Sequence, residues 1–285
     1  MTGAGGFVGA HVDAALRAAG HEAVDVPVRR GHAERHPSES VDAIIHLTAE
    51  DVRACLDDAY RFGARLVVLM SAIGADPHVL RRQLRAHGKA EELVRASGLP
   101  WVILRPEILW GPGDVFTNQL VHLMRHLPFV PIPRGGRRLF PVHVGDAARA
   151  LVECLERRDL WYREWSLLGP EPLSYAEVVE RIAQAIYLSR RRKLRVPGWS
   201  VRLGAAIEER VSGCPSATRA LLDRYVAGEI GRTDRLRGTQ FSLPQRLMSV
   251  EELRAYLWPA RPPREQLGTA ARTFRAAPSS PARRS

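Results

Sequence analysis

Two hydrophobic periods alternate along the chain. Val8, Val12, Ala15, Leu16 and Ala19 recur every three or four positions, the spacing of one helix face. Gly20 ends that helix, and the run from His21 to Val28 reads as a strand. The stretch Arg29 to Ser40 is polar, and Val41 to Leu47 is a short continuous apolar run, the pattern of a buried parallel strand. A helix over residues 51–62 follows, then a second buried strand from Ala64 to Met70, a helix from about Pro77 to Ser97 closed by Gly98, and a strand from Trp101 to Leu104. Strand and helix in strict alternation predict a doubly wound α/β fold of Rossmann type, a parallel sheet with helices on both faces.

Beyond Arg105 the pattern loosens. Pro106, Gly111, Pro112 and Gly113 predict a loop, and residues from Phe116 to His126 a helix. A proline-punctuated loop carries Arg134, Arg137 and Arg138, followed by a short strand from Pro141 to Val144. Asp146 stands where an N-cap belongs, before a helix with Ala147, Ala150, Leu151, Cys154 and Leu155 inward. Trp165 to Leu168 reads as the last sheet strand. Ser174 with Glu177 forms a capping-box pattern for a helix to Ile186, and the remainder to Trp258 reads as helix and loop. The expected division is a nucleotide-binding domain over 1–165, a smaller, mostly helical domain over 166–260 and a basic tail over 261–285. There is no internal repeat.

The first helix gains meaning from what precedes it. In Thr2-Gly3-Ala4-Gly5-Gly6-Phe7-Val8-Gly9, Gly3, Gly6 and Gly9 stand three apart at its N-terminus. Glycines there permit positive φ and close approach of the backbone to a pyrophosphate, and the N–H groups with the helix dipole favour its charge. Such a turn normally sits at the end of a strand, and only Met1 precedes Thr2. The expectation is a sheet lacking its first strand, or a start placed too late; a GTG valine codon read as an initiator would give this sequence. The dozen polar residues after Val28 are also too few for a full helix–strand–helix passage, so the sheet is expected to be shortened there.

Composition adds little except in one respect. The net charge is +11, of which the tail from Arg261 supplies +5 through six Arg and one Glu. The body is therefore only mildly basic, and a nucleic-acid partner is not expected. Cys55, Cys154 and Cys214 are scattered and form no CxxC pair, which fits a reducing cytoplasm rather than a disulfide or zinc framework. The chain has no signal-like or spanning apolar run. Only two of the 42 basic residues are lysines, Lys89 and Lys193, a bias that suggests a GC-rich bacterial genome and makes a Lys at any given position unusual.

The stretches 2–9 (TGAGGFVG), 42–49 (DAIIHLTA), 71–76 (SAIGAD), 88–114 and 141–151 (PVHVGDAARAL) together resemble an atypical short-chain dehydrogenase of the extended, NAD-dependent epimerase/dehydratase-like type. Residues 167–180 and 242–257 extend the resemblance to the group of the nucleotide-binding accessory subunit of respiratory complex I and its bacterial relatives. The resemblance implies a cofactor site built from Gly3, Gly6, Phe7, Val8 and Gly9, from Leu47, Thr48 and Ala49, and from Ser71, Lys89 and Pro106. It also allows a membrane-associated complex as a partner, hence a cytoplasmic protein held peripherally at a membrane.

The same resemblance exposes a departure. The family's hydride chemistry uses a Ser, a Tyr and a Lys, with the Tyr four residues before the Lys on one helix face. Ser71 and Lys89 stand in place, but Arg85 occupies the Tyr position. Arginine stays charged near neutral pH and exchanges no proton there. Arg29 and Arg30, just after the second strand, suit a 2′-phosphate and favour NADP(H); Asp25 is the competitor that would favour NAD(H). His143 reads as a hydrogen-bonded core histidine. Arg137 and Arg138 could meet an anionic ligand, and Arg190 to Arg195 with Trp199, Val201 and Leu203 an anionic membrane surface. Two readings stand: a cofactor-binding protein without turnover in a structural, assembly or regulatory role, and an NADP-dependent oxidoreductase or epimerase-type enzyme using Lys89 or a non-standard acid. The substrate is left open.

Overall fold

The computed structural model describes residues 1–25, 40–126, 129–133, 138–188, 192–197, 239–241 and 245–257. Helix α1 (Phe7–Ala18) leads to strand β1 (Ile44–His46), helix α2 (Val52–Arg61), strand β2 (Val67–Met70), helix α3 (Arg82–Arg95) and strand β3 (Trp101–Pro106). Then come β4 (Leu109–Trp110), α4 (Val115–His126), β5 (Phe129–Pro133), β6 (Arg138–Leu139) and β7 (Val142–His143). The chain continues through α5 (Val144–Glu156), β8 (Arg163–Leu167), β9 (Leu173–Ser174), α6 (Tyr175–Ala185), β10 (Arg192–Val196), β11 (Thr239–Gln240) and α7 (Val250–Leu257).

The main sheet has the order β1-β2-β3-β8-β11 and is parallel throughout. Its strands are continuous apolar runs because both faces are covered. On one face, Val12 and Leu16 of α1 and Leu151 and Cys154 of α5 pack on Ile45, Val68, Val102 and Leu104. On the other, Cys55, Leu56 and Ala59 of α2 and Ala90 and Val94 of α3 pack on Ile44, Val67, Leu69 and Ile103. Alternate residues of each strand thus serve opposite cores, as the period of two requires. At about 25 cal/mol per Å² of apolar area, each fully buried aliphatic side chain contributes roughly 1.5–3 kcal/mol. A third core gathers Trp110, Leu120, Met124, Ile132, Val178, Ile182 and Leu253 from β4, α4, β5, α6 and α7.

The first-strand position is partly represented. The Thr2 N–H donates to the Ile45 carbonyl at 2.9 Å, and the Thr2 carbonyl accepts from Leu47 N–H at 3.2 Å, an isolated parallel bridge beside β1. Of the strand expected from His21 to Val28, residues 21–25 carry no strand pairing and the rest lies outside the described residues.

Four local expectations are corrected. Helix α3 starts at Arg82, not Pro77, because the Asp76 carboxylate takes the His78 N–H at 2.8 Å and holds an intervening turn. Asp146 is not the N-cap of α5: His143 is, its Nδ1 accepting from Gly145 N–H at 3.1 Å. Asp146 lies buried in the first turn and accepts from Arg246 N–H at 2.6 Å and from the Arg149 guanidinium at 2.5 Å. The strand from Pro141 is confined to Val142–His143. The strand at Trp165 is not the last of the sheet, since β11 pairs with it through Thr239 and Gln240. The Ser174–Glu177 capping box of α6 forms as its sequence predicts.

Candidate functional site

At the carboxyl end of β1 the turn before α1 folds as its glycines dictate. Gly3 has φ +85°, and the Gly6 N–H closes the turn on the Gly3 carbonyl at 3.1 Å. A side chain at Gly9 would run into the backbone of Ala4, so helix and turn meet only with glycine there. Gly6 is the N-cap, with no side-chain cap and no acidic residue in the first turn. The leading N–H groups of α1 are therefore left to an external acceptor, with the positive end of the helix dipole behind them. These features fit a phosphate: among the described residues no side chain caps these N–H groups, and no acidic residue stands in the first turn.

The far wall of the turn is the segment after β1. A Cβ on Gly3 would lie 3.3 Å from the Leu47 Cβ and 3.1 Å from the Thr48 Cγ2, so this wall touches the turn directly. His46, absent from the sequence-based site, ties the two together. Its Nε2 lies 2.9 Å from the Glu50 carbonyl, which can only accept, so Nε2 carries the proton. Nδ1 then accepts from the Thr2 hydroxyl at 2.6 Å. Burial holds the His46 pKa below the usual histidine range and keeps the ring neutral.

The hydride-chemistry positions are arranged differently from a working Ser–Tyr–Lys set. Ser71, at the end of β2, donates its hydroxyl to Glu91 at 2.6 Å. Glu91 is buried and receives a two-pronged contact from Arg105, Nε at 2.7 Å and Nη2 at 2.5 Å. Arg105 Nη1 reaches Glu164 at 2.7 Å, and Arg95 bridges the two carboxylates. Ser71 is thereby drawn into an ion-pair network joining α3, β3 and β8. Lys89 is exposed and, among the described residues, has no hydrogen-bond or ion-pair partner. Arg85, one turn earlier, is half-buried. A side chain at Gly88 would strike the Asp76–Pro77 backbone, so this part of α3 lies directly against the loop leaving β2. The Pro106 carbonyl accepts from Ile73 N–H at 3.3 Å.

A second group borders the turn. His11 Nε2 lies 3.1 Å from the Pro112 carbonyl, and Phe7 packs edge-on against His11. Gly111 and Gly113, with φ of +144° and +88°, let that loop pass beside His143 and Phe7. His143 stacks edge-on against the buried Trp110 at 4.8 Å between ring centroids. Burial and the nearby Arg246 lower its pKa, so His143 is neutral, with Nδ1 spent on the helix cap. Asp114 is buried; burial raises its carboxyl pKa against four hydrogen bonds, from Gly111 N–H, the Thr117 N–H and hydroxyl, and the Tyr256 hydroxyl.

The fold thus sets Gly3 of the turn against Leu47 and Thr48, while Ser71 directly follows β2 and Pro106 ends the neighbouring strand β3. Arg29, Arg30 and Arg137 lie outside the described residues, as do Arg190, Arg191, Trp199, Val201 and Leu203. Arg138 pairs with Glu177 at 2.9 Å on the surface. Of the tyrosines that could have substituted at position 85, Tyr60 bonds the Ser97 carbonyl, and Tyr162 lies beside Trp101 at the opposite, amino end of β3. His46, Glu91, Arg105 and Tyr256 escaped sequence reasoning. The only available signal was charge inside strand and helix faces that otherwise read as apolar.

A model of the family described as NAD(P)H-binding matches residues 13–157 of this chain. Ceramide reductase from Caulobacter vibrioides is 25% identical over 170 residues, 60% of this chain and 53% of that protein. The mitochondrial NADH-ubiquinone oxidoreductase 40 kDa subunit from Neurospora crassa is 28% identical over 129 residues, 45% of this chain and 33% of that protein. The chain therefore spans about half the length, or less, of these curated relatives. Among solved structures, a nucleoside-diphosphate-sugar epimerase from Staphylococcus aureus superposes with a TM-score of 0.64 at 17% identity, over 89% of this chain and 98% of that one.

Proposed function

Because this chain belongs to the NAD(P)H-binding family, we propose that it holds a nicotinamide dinucleotide at the Gly3–Gly9 turn without turning over a carbonyl or alcohol substrate. Its role on this reading is structural, regulatory or in assembly, cytoplasmic and peripheral to a membrane complex. The respiratory-complex subunit among its relatives supports that setting. Gly3, Gly6, Phe7, Val8 and Gly9 would take the pyrophosphate; Leu47, Thr48 and Ala49 would line it; Ser71, Lys89 and Pro106 would face the nicotinamide end. Arg29 and Arg30 would meet a 2′-phosphate, which favours NADP(H).

One observation carries the reading. The position four residues before Lys89 holds Arg85, and the Ser71 hydroxyl is donated to Glu91. Bound, the nicotinamide ring would supply a hydride. Among the described residues the Ser71 hydroxyl is spent on Glu91, and Arg85 stands where a tyrosine would exchange the accompanying proton. A second reading is favoured by the exposed Lys89, which has no partner among the described residues, and by the reductase among the relatives: an NADP-dependent oxidoreductase or epimerase-type enzyme in which Lys89 or a water exchanges the proton.

The test is a screen of carbonyl and alcohol substrates following NADPH absorbance, run beside direct binding. We expect NADPH to bind, Gly6→Asp to abolish that binding through bulk and charge at the helix N-terminus, and turnover to be absent. Robust turnover that disappears in Lys89→Ala installs the second reading.

A further inference from the structure

One face of α3 carries positive charge that the described residues do not balance. Arg82, Arg85 and Lys89 stand at i, i+3 and i+7 and so share one side of the helix. Arg82 and Lys89 are exposed and Arg85 is half-buried. None of the three has a hydrogen-bond or ion-pair partner among the described residues. Glu92, the acid that follows on this face, pairs with none of them. Glu91 is turned to the buried side and taken by Ser71, Arg105 and Arg95. Like charges four residues apart on a helix repel, and half-burial strips water from the Arg85 guanidinium. An anion held between Arg85 and Lys89 relieves both costs.

This face stands at the carboxyl end of the sheet. A Cβ at Gly74 would lie 3.6 Å from Leu84 Cδ1, and one at Gly88 would strike the Asp76–Pro77 backbone, so the loop leaving β2 lies against α3 on both sides of Arg85. The Ile73 N–H donates to the Pro106 carbonyl at 3.3 Å and ties the same loop to the end of β3. Strand β1 pairs with β2 in parallel, so the glycine turn opens at this end as well. The loop brings further donors, since the Ala72 and Gly74 N–H groups have no partner among the described residues.

We propose that Arg85 and Lys89 form an oxyanion site. The Arg85 guanidinium forks onto two oxygens of a carboxylate or phosphate, and the Lys89 ammonium makes a point-charge contact to the same group. Arginine at position 85 thus selects a ligand by its negative charge. The inference deepens the function proposed above and rests on that reading for placing this face at the nicotinamide end.

Lys89 and Lys193 are the two lysines of the chain, so lysine labelled with ¹³C at Cε reports each of them by NMR. Lys193 pairs with Glu180 and serves as the internal reference. Malonate, and separately inorganic phosphate, is titrated at constant ionic strength without dinucleotide. We expect the Lys89 signal to shift and saturate with a Kd below about 5 mM while Lys193 stays still. Arg85→Gln should weaken this response at least about tenfold. Arg163→Gln removes the same charge from an exposed site at the amino end of β8 and should leave the response intact. A linear drift shared by both lysines, or a response unaltered in Arg85→Gln, overturns the proposal. NADPH binding is followed in parallel by its fluorescence. A saturable Lys89 response without NADPH binding upholds the site and removes the cofactor reading, whereas NADPH binding with no such response removes the site alone. A malonate response that persists at saturating NADPH identifies a second, acidic ligand; one that vanishes gives the oxyanion to the dinucleotide's own phosphate, and the site stands in both cases.

Discussion

His46 shows how one buried ring can set the working pH of the turn above it. Its two nitrogens are spent, one on Glu50 and one on Thr2, and only the neutral form satisfies both. The folded pKa is depressed, so below about pH 6.5 the unfolded chain binds a proton that the folded chain resists. Stability from this ring is complete above that pH and declines as pH falls through it toward the folded value. His143 is depressed as well and acts in the same direction, whereas the raised Asp114 acts in the opposite one. We expect Tm to drop between pH 7.5 and 5.5, and the drop to shrink in His46→Gln, which keeps a donor for Glu50 but does not titrate. A melt series at fixed ionic strength checks this, and an unchanged slope in the variant removes His46 from the account. In the sequence His46 sits inside an apolar strand run and reads as a strand residue. Its role needs Thr2, 44 positions away, and no local period encodes that distance.

At the scale of elements, the network of Glu91, Arg105, Arg95 and Glu164 fastens α3 to the centre of the sheet. Arg105 is nearly inaccessible, with its guanidinium held on two carboxylates. Removing it leaves Glu91 buried without its main counter-charge. Arg105→Met should therefore cost about 3–5 kcal/mol. Denaturant unfolding measures that loss, and a cost below about 1 kcal/mol would mean that water reaches the pair. Helices α1, α2 and α5 were legible because apolar residues recur every three or four positions over ten or more residues. The start of α3 was not, because the Asx turn at Asp76 competes locally with helix. The cap of α5 was not, because histidine seldom caps and Asp146 stands nearby. Strand β11, with two paired residues, is too short for any period. The ion network was invisible for another reason: Arg105 lies 14 residues from Glu91, and Arg95 lies 69 from Glu164.

Over the whole molecule, the four strands β1, β2, β3 and β8, the two helical layers and the turn at the carboxyl edge followed from strand–helix alternation and glycine spacing. Those patterns leave cofactor choice undetermined; on the function proposed above it would turn on Arg29 and Arg30. Charge-assisted contacts to a 2′-phosphate are worth about 1.5–3 kcal/mol, so NADPH should bind more tightly than NADH by at least about tenfold. Parallel titrations measure the ratio, and equal affinities return the assignment to Asp25 and NAD. The two-layer build also has a chemical consequence. Cys55 belongs to the core under α2 and α3, and Cys154 to the core under α1 and α5, with the sheet between them. Burial pushes each thiol up to about 12, so almost no thiolate exists while its layer is closed. The two thiols are therefore separate clocks, each reading the opening of one side of the protein. Helix α2 rests on the edge strand β1, whereas α5 crosses β2 and β3 at the centre. In a Cys214→Ser background, peptide mass spectrometry should find Cys55 alkylated ahead of Cys154. Identical rates would mean that the two layers part only when the whole molecule unfolds.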